Sequence, residues 1–215
     1  MPRAVPKWLT LSGGNNSLLY ASTKRALDLC LCFFAIPVLL PLLLLGIVLV
    51  KVSSPGPIFF VQDRTGLNGR RFHMYKLRTM VENAAELKAD LLSKVPDGPD
   101  FKLEEDPRVT KIGRWLRRTS IDELPQVWNV IKGDMSLVGP RPTSFGVDVY
   151  SLWHTERLEV PPGLTGLWQT EKRGDLDFDE RVRLDITYAR YRSIGFDLWI
   201  IGKTIRTVIA GRGAY

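Results

Sequence analysis

The sequence predicts an α+β fold, mainly helical, with a short β-hairpin and one membrane-embedded helix. Three observations predict it. Leu29–Val50 carries no charged residue over 22 positions. Two strand-like runs, Ile58–Gln62 and Arg71–Leu77, flank the turn-forming Thr65-Gly66-Leu67-Asn68-Gly69. The remaining apolar residues recur at helical spacing, most clearly over Asp179–Tyr191 and Phe196–Ile209.

The elements follow in chain order. Residues 1–22 form a polar lead-in, rich in Gly and Asn around Gly13-Gly14-Asn15-Asn16. Residues 23–52 form the membrane helix; a straight helix needs roughly 20 apolar residues to cross a bilayer. The segment lies too deep, is too long and lacks a small-x-small exit for a cleavable signal. Lys24 and Arg25 precede it, and Lys51, Arg64, Arg70, Arg71, Lys76 and Arg78 follow. The positive-inside rule then asks for both ends on the cytoplasmic face. Pro37 and Pro41 each remove a backbone donor in mid-segment, at about 3 kcal/mol in an ordinary helix. A helix bent there enters and leaves through one leaflet. A kinked spanning helix fits the same residues, because membranes tolerate proline. On the residues alone both readings stand.

Residues 53–215 form the remaining domain. Ser53-Ser54-Pro55-Gly56-Pro57 ends the membrane helix, and the hairpin follows. Val81–Lys94 has helical spacing, and residues 96–107 read as a Pro/Asp/Gly loop. A basic helix over 108–118 precedes a second over 120–132, then a Gly/Pro-rich loop through Arg141-Pro142. Residues 160–166 read as a turn. Asp179–Tyr191 places Val182, Ile186 and Ala189 on one side of a helix. Phe196–Ile209 is basic and amphipathic, suited to a membrane interface or to packing on a core. No internal repeat or second domain boundary is visible.

Composition limits the chemistry. The chain has 215 residues and a formal charge of +7, which suits lipid headgroups, nucleotides or nucleic acid. Its two cysteines, Cys30 and Cys32, lie inside the apolar segment, so a disulfide framework is not indicated. His73 and His154 have no metal-ligand spacing, which gives little support to a zinc site or a Ser-His-Asp triad. Phosphate-loop and dinucleotide-binding fingerprints are absent, as is a D-x-D motif.

The chemistry concentrates in Ser120-Ile121-Asp122-Glu123-Leu124-Pro125-Gln126 and in Lys132–Pro142. Ser120-x-x-Glu123 matches a helix capping box. The same dyad also lies near Arg114, Arg117, Arg118 and Arg141. A carboxylate among guanidiniums stays ionised and can attack phosphorus to form an acyl phosphate. Arginines bind a pyrophosphate bidentately, and a second carboxylate can share Mg²⁺ with substrate phosphates. Strand alternation puts Lys76 and Arg78 on one face, where they converge on a phosphate or are simply solvated. Asp134, Asp185 and Asp197, taken singly, read as salt-bridge partners or caps.

Arg78-Thr79-Met80, Ser120–Gln126, Asn129-Val130, Lys132–Ser136, Val138–Pro142 and Pro162–Gln169 together resemble the bacterial sugar transferases. These are the monotopic polyprenyl-phosphate phosphoglycosyl transferases. The resemblance runs from about Lys24 to the C-terminus. It implies transfer of a sugar 1-phosphate from a UDP-sugar to undecaprenyl phosphate, releasing UMP, as the first membrane step of exopolysaccharide, capsule or O-antigen synthesis. It makes Asp122 the nucleophile that forms a phosphosugar intermediate, Glu123 its partner, and Mg²⁺ the cofactor held by Asp122 and Glu123. Lys76, Arg78, Arg117, Gln126 and Arg141 fall at substrate-binding positions, and Asp185 and Asp197 match recurrent family acids grouped with them. It favours a re-entrant membrane helix bent at Pro37 and Pro41, with amphipathic interfacial helices, on the cytoplasmic face of the bacterial inner membrane. Some members carry Ser before the bend proline where this chain has Leu40, which leaves the bend angle open.

The chain resembles the stand-alone catalytic part, since 23 residues before Lys24 leave no room for further spanning helices. Gly211-Arg212-Gly213-Ala214-Tyr215 looks like the ending of the hexose-transferring subgroup. Expected partners are a UDP-hexose, undecaprenyl phosphate and membrane lipids, with a homodimer left open and no nucleic acid. The competing readings are a membrane pyrophosphohydrolase, with water replacing the lipid, and a basic membrane scaffold or nucleic-acid binder.

Overall fold

The computed structural model describes residues 18–87, 106–170 and 176–210. The expected lead-in up to residue 17, most of the 96–107 loop and the 211–215 ending lie outside the described residues. The order is α1 (Leu18–Ser53), β1 (Phe59–Thr65), β2 (Arg71–Leu77), α2 (Lys111–Thr119), α3 (Gln126–Lys132), β3 (Ser136–Val138), β4 (Gly163–Thr165), α4 (Phe178–Tyr191) and α5 (Ile194–Ile209), with short 3-10 turns between. The fold is mainly helical α+β, as the sequence predicts. Of the expected 81–94 helix, residues 81–83 form a turn instead, 84–87 are helical, and 88–94 lie outside the described residues.

The hairpin pairs β1 and β2 antiparallel, with Phe60 opposite Lys76 and Arg64 opposite Phe72. Asn68 and Gly69 take positive φ in its turn, a conformation to which Asn and Gly are suited. β3 and β4 form a short parallel pair where the sequence suggested only a turn. Glycine makes that pair possible: a Cβ on Gly163 would sit 2.1 Å from the Gly139 nitrogen.

The expected helix over 120–132 is two pieces. Ser120 adopts left-handed geometry (φ 58°, ψ 17°) and ends α2, its N–H donating to the Arg117 and Leu116 carbonyls. A 3-10 turn over Ile121–Glu123 then leads through Pro125 into α3. The capping box is therefore not formed: the Ser120 side chain makes no capping hydrogen bond. Asn129 ties α3 to the hairpin, donating to the His73 carbonyl and accepting from the Tyr75 N–H.

Three apolar clusters hold these elements together. Val138, Leu167, Tyr188, Phe196 and Ile200 join β3, α4 and α5. Cys32, Met74, Val130 and Met135 join α1 to β2 and α3. Val50, Leu77, Leu116 and Ile121 join the far end of α1 to β2 and α2. Both ends of α1 thus dock on one body, while none of residues 33–45 is buried. α1 is the one helix among the described residues long and apolar enough to cross a membrane. Its middle exposes Phe33, Phe34 and Val38, so it is a membrane-associated helix that leaves apolar area for lipid to cover. The core-packing reading of the C-terminal helix holds for one side of α5, which buries Phe196 and Ile200, while Leu198 and Ile205 stay about half exposed.

Candidate active site

The dyad sits on the tight turn between α2 and α3, because left-handed Ser120 stops one helix and Pro125 delays the next. Ile121 anchors the turn against Leu77 and Leu116. The two carboxylates then part company. Glu123 accepts from Lys76 Nζ at 3.0 Å and from Arg141 Nη2 at 2.5 Å. Asp122 is only 6 % exposed, and no hydrogen bond or ion pair reaches its carboxylate among the described residues.

Electrostatics separates the pair further. Burial, then the neighbouring Glu123 charge, pushes the Asp122 carboxyl up from 3.8 to about 6, against the pull of Lys76, Arg117 and Arg141. Burial also opposes the Glu123 charge, but Arg141 and Lys76 outweigh it and hold Glu123 well below the usual carboxylate range. One carboxylate is neutralised by partners, and its neighbour is desolvated and unpartnered. The unpartnered one is the better nucleophile or base.

Three elements deliver the cations. Lys76 comes from the end of β2. Arg117 comes from α2, where its Nε donates to Thr79 Oγ1 at 2.9 Å. α2 packs so closely there that a Cβ on Gly113 would lie 2.0 Å from the Thr79 carbonyl oxygen. Arg141 comes from the Gly-Pro-Arg-Pro turn after β3, whose backbone the buried Arg157 holds by donating to the Arg141 carbonyl at 2.6 Å.

The structure therefore brings together Asp122, Glu123, Lys76, Arg117 and Arg141. It takes three other expected site residues elsewhere. Arg78 lies beyond the end of β2 and donates to the Ser54 and Pro55 carbonyls, closing the end of α1. It does not converge with Lys76, because alternation lapses where the strand ends. Asp185 is 1 % exposed and paired with Arg157, so it reaches the site only through the Arg141 backbone. Asp197 accepts from Tyr20, Lys24 and Tyr188 and clamps the start of α1 to α5. Gln126 is buried in the first turn of α3 with its Nε2 unpartnered.

A cavity of about 680 Å³ opens beside the dyad. Glu123 and Arg141 face it; Asp122 is not in its wall. One side is apolar and built from α1 and α5, including Leu31, Leu39, Leu42, Ile201 and Ile205. The other is polar and aromatic, including Arg64, Ser144, Phe145, Phe178 and Arg181. Sequence reasoning missed this second wall. Arg64 was within reach of it, since strand alternation through the hairpin puts Arg64 on the same face as Lys76. Phe145, Phe178 and Arg181 lie in segments with no pattern pointing to the dyad.

Residues 19–211 match the family described as bacterial sugar transferase. The chain belongs to the bacterial sugar transferase family. It is 48 % identical over 183 residues to the galactosyl transferase CpsE of Streptococcus agalactiae, covering 80 % of this chain and 40 % of that protein. It is 41 % identical over 199 residues to the exopolysaccharide production protein ExoY of Sinorhizobium fredii, covering 90 % of this chain and 88 % of that protein. The undecaprenyl-phosphate galactose phosphotransferase of Salmonella typhimurium is 40 % identical over 198 residues, covering 89 % of this chain and 41 % of that protein. The chain thus spans about two-fifths of the length of several relatives and most of the length of another.

The fit to Mg²⁺ follows from the donor set. No group of three or more metal-ligating side chains occurs among the described residues, so a closed protein-only site is not built. Two adjacent carboxylates, one without partners, suit a Mg²⁺ that shares itself with substrate phosphates and water.

Proposed function

We propose that this sugar transferase moves a sugar 1-phosphate from a UDP-hexose to undecaprenyl phosphate and releases UMP, in the first membrane step of exopolysaccharide, capsule or O-antigen assembly. The observation that carries the reading is Asp122: a buried carboxylate with no partner among the described residues, beside a Glu123 neutralised by Lys76 and Arg141. An Asp122 oxygen attacks the phosphorus bearing the sugar. The bond from that phosphorus to the bridging oxygen breaks, and UMP leaves with the electron pair. The resulting acyl phosphate is then attacked by a phosphate oxygen of the lipid, which returns Asp122 to its carboxylate. Lys76, Arg117 and Arg141 offset charge as it moves onto the leaving group. Asp122 and Glu123 are the residues that would hold a Mg²⁺, which would supply Lewis-acid charge neutralisation.

The docking of both α1 ends supports a re-entrant helix at the cytoplasmic face. A straight helix of 36 residues would be about 54 Å long at 1.5 Å per residue, and would carry its two ends to opposite faces. Here Lys24 binds Asp197 while Arg78 binds Ser54 and Pro55, all on one domain. Pro37 and Pro41, in the lipid-facing middle, are where a bend is cheapest. The apolar cavity wall made by α1 and α5 suits a polyprenyl chain arriving from the bilayer, with the donor entering from the polar wall.

The test is UMP release from a panel of UDP-sugars, with and without undecaprenyl phosphate, for wild type and Asp122→Asn. Lipid-dependent release with one sugar, lost in the variant, is expected, together with UMP–UDP-sugar exchange when lipid is absent. Release that ignores the lipid and yields free sugar phosphate would make the protein a pyrophosphohydrolase.

A further inference from the structure

We propose that Arg64 is a phosphate-binding residue of this cavity: a guanidinium in its wall, beside Arg141 and the dyad, held in place by neutral partners and without a counter-ion among the described residues. The inference rests on the function proposed above. Arg64 Nη1 donates to the Pro142 carbonyl at 3.3 Å and Nη2 to Gln62 Oε1 at 2.6 Å. Its Nε is buried without a partner. Neither contact neutralises its charge. By contrast, two other arginines of this wall are paired with carboxylates, Arg157 with Asp185 and Arg141 with Glu123.

Charge accounting around the dyad leads to the same place. Lys76, Arg64, Arg117 and Arg141 surround two carboxylates, Asp122 and Glu123. Desolvation and the Arg141 charge already push the Arg64 guanidinium down to about 10. A partly buried cation with a buried, unpartnered Nε next to another cation is costly to maintain. A phosphate dianion in the cavity would relieve both and give the Nε a partner. Two sources supply that chemistry, the diphosphate of a nucleotide sugar and the phosphate of the lipid.

Two variants test it. Arg64→Gln keeps a donor for Pro142 but removes the charge. Gln62→Glu leaves Arg64 intact and hands it a carboxylate. Binding of inorganic pyrophosphate to the full chain in detergent is measured by calorimetry, then binding of UDP and of a short polyprenyl phosphate. Loss of one charge-assisted contact predicts roughly ten- to hundred-fold weaker pyrophosphate binding in both variants. A matching loss for UDP alone assigns Arg64 to the donor, and for the polyprenyl phosphate alone to the acceptor. Unchanged pyrophosphate affinity in either folded variant overturns the proposal, since a purely structural Arg64 would be indifferent to Gln62→Glu. Should Arg64→Gln fail to fold, Gln62→Glu decides alone. A wild type that binds pyrophosphate but neither turns over nor exchanges any UDP-sugar would sink the function reading and leave this binding result standing.

Discussion

Replacing Asp122 by Asn should abolish turnover and at the same time make the protein more stable at neutral pH. In the folded protein, burial and the Glu123 charge raise the Asp122 carboxyl from 3.8 to about 6. Between those values the folded state holds the proton more tightly than the unfolded chain, so stability falls as pH rises through this window. Above about pH 6 the full difference is present. Roughly two units at 1.36 kcal/mol each is about 3 kcal/mol of strain carried by the ionised side chain. An amide of the same shape does not carry it. For a chain of this size that corresponds to a midpoint roughly 6–12 °C higher. The assay is thermal unfolding of both proteins in detergent, followed by tryptophan fluorescence from pH 4 to pH 8. The gap should be widest at pH 7–8 and close towards pH 4, where wild-type Asp122 is protonated. Over the same range, UMP exchange by wild type should rise and level off above about pH 6, as the nucleophile ionises. A variant no more stable than wild type at pH 7.5, or a gap independent of pH, would refute the account of Asp122 as a desolvated, unpartnered carboxylate.

Three further outcomes are expected. Glu123→Gln strips Lys76 and Arg141 of their shared counter-ion and should lower stability by about 2 kcal/mol or more, with exchange lost; because Glu123 titrates far below neutrality, the wild-type advantage should persist down to strongly acidic pH, as stability curves would show. Gly113→Ala, which in an open helix would help by up to about 1 kcal/mol, should instead destabilise and impair turnover, because the new methyl meets the Thr79 carbonyl and displaces Arg117; a raised unfolding midpoint would contradict that packing. Single cysteines at Leu18 and Lys51, on a background lacking Cys30 and Cys32, should both react with an impermeant thiol reagent from the same side of sealed vesicles, and labelling from opposite sides would establish a spanning helix.

Much of this protein was legible in the order of its residues. The uncharged run to Val50 announces a helix that needs lipid, since nothing else covers such a surface. The alternating residues around Gly66–Gly69 define the hairpin and its turn, because period-two patterning and positive-φ residues are local signals. Arg141 and the Asp122-Glu123 pair were visible for the same reason, through composition over a few positions. What the chain alone left undecided was the partner of each charge. Ser120 reads in sequence as a cap for the following helix, whereas the fold makes it the left-handed stop of the preceding one, with Ile121 packed on Leu77 and Leu116. That choice turns Glu123 towards Lys76 and Arg141 and leaves Asp122 bare. Likewise the resemblance groups Arg78, Asp185 and Asp197 with the site, yet contacts 24 or more positions away claim them for Ser54, Arg157 and Lys24, and for the two aspartates that is the salt-bridge role their residues alone suggest. Arg64 shows the reverse, a cation unremarkable in sequence that the fold sets beside Arg141. Local backbone preference and hydropathy act over a few residues and can be read directly. The ionisation and reach of a side chain depend on burial and on charges brought from distant segments, and those exist only once the chain has folded.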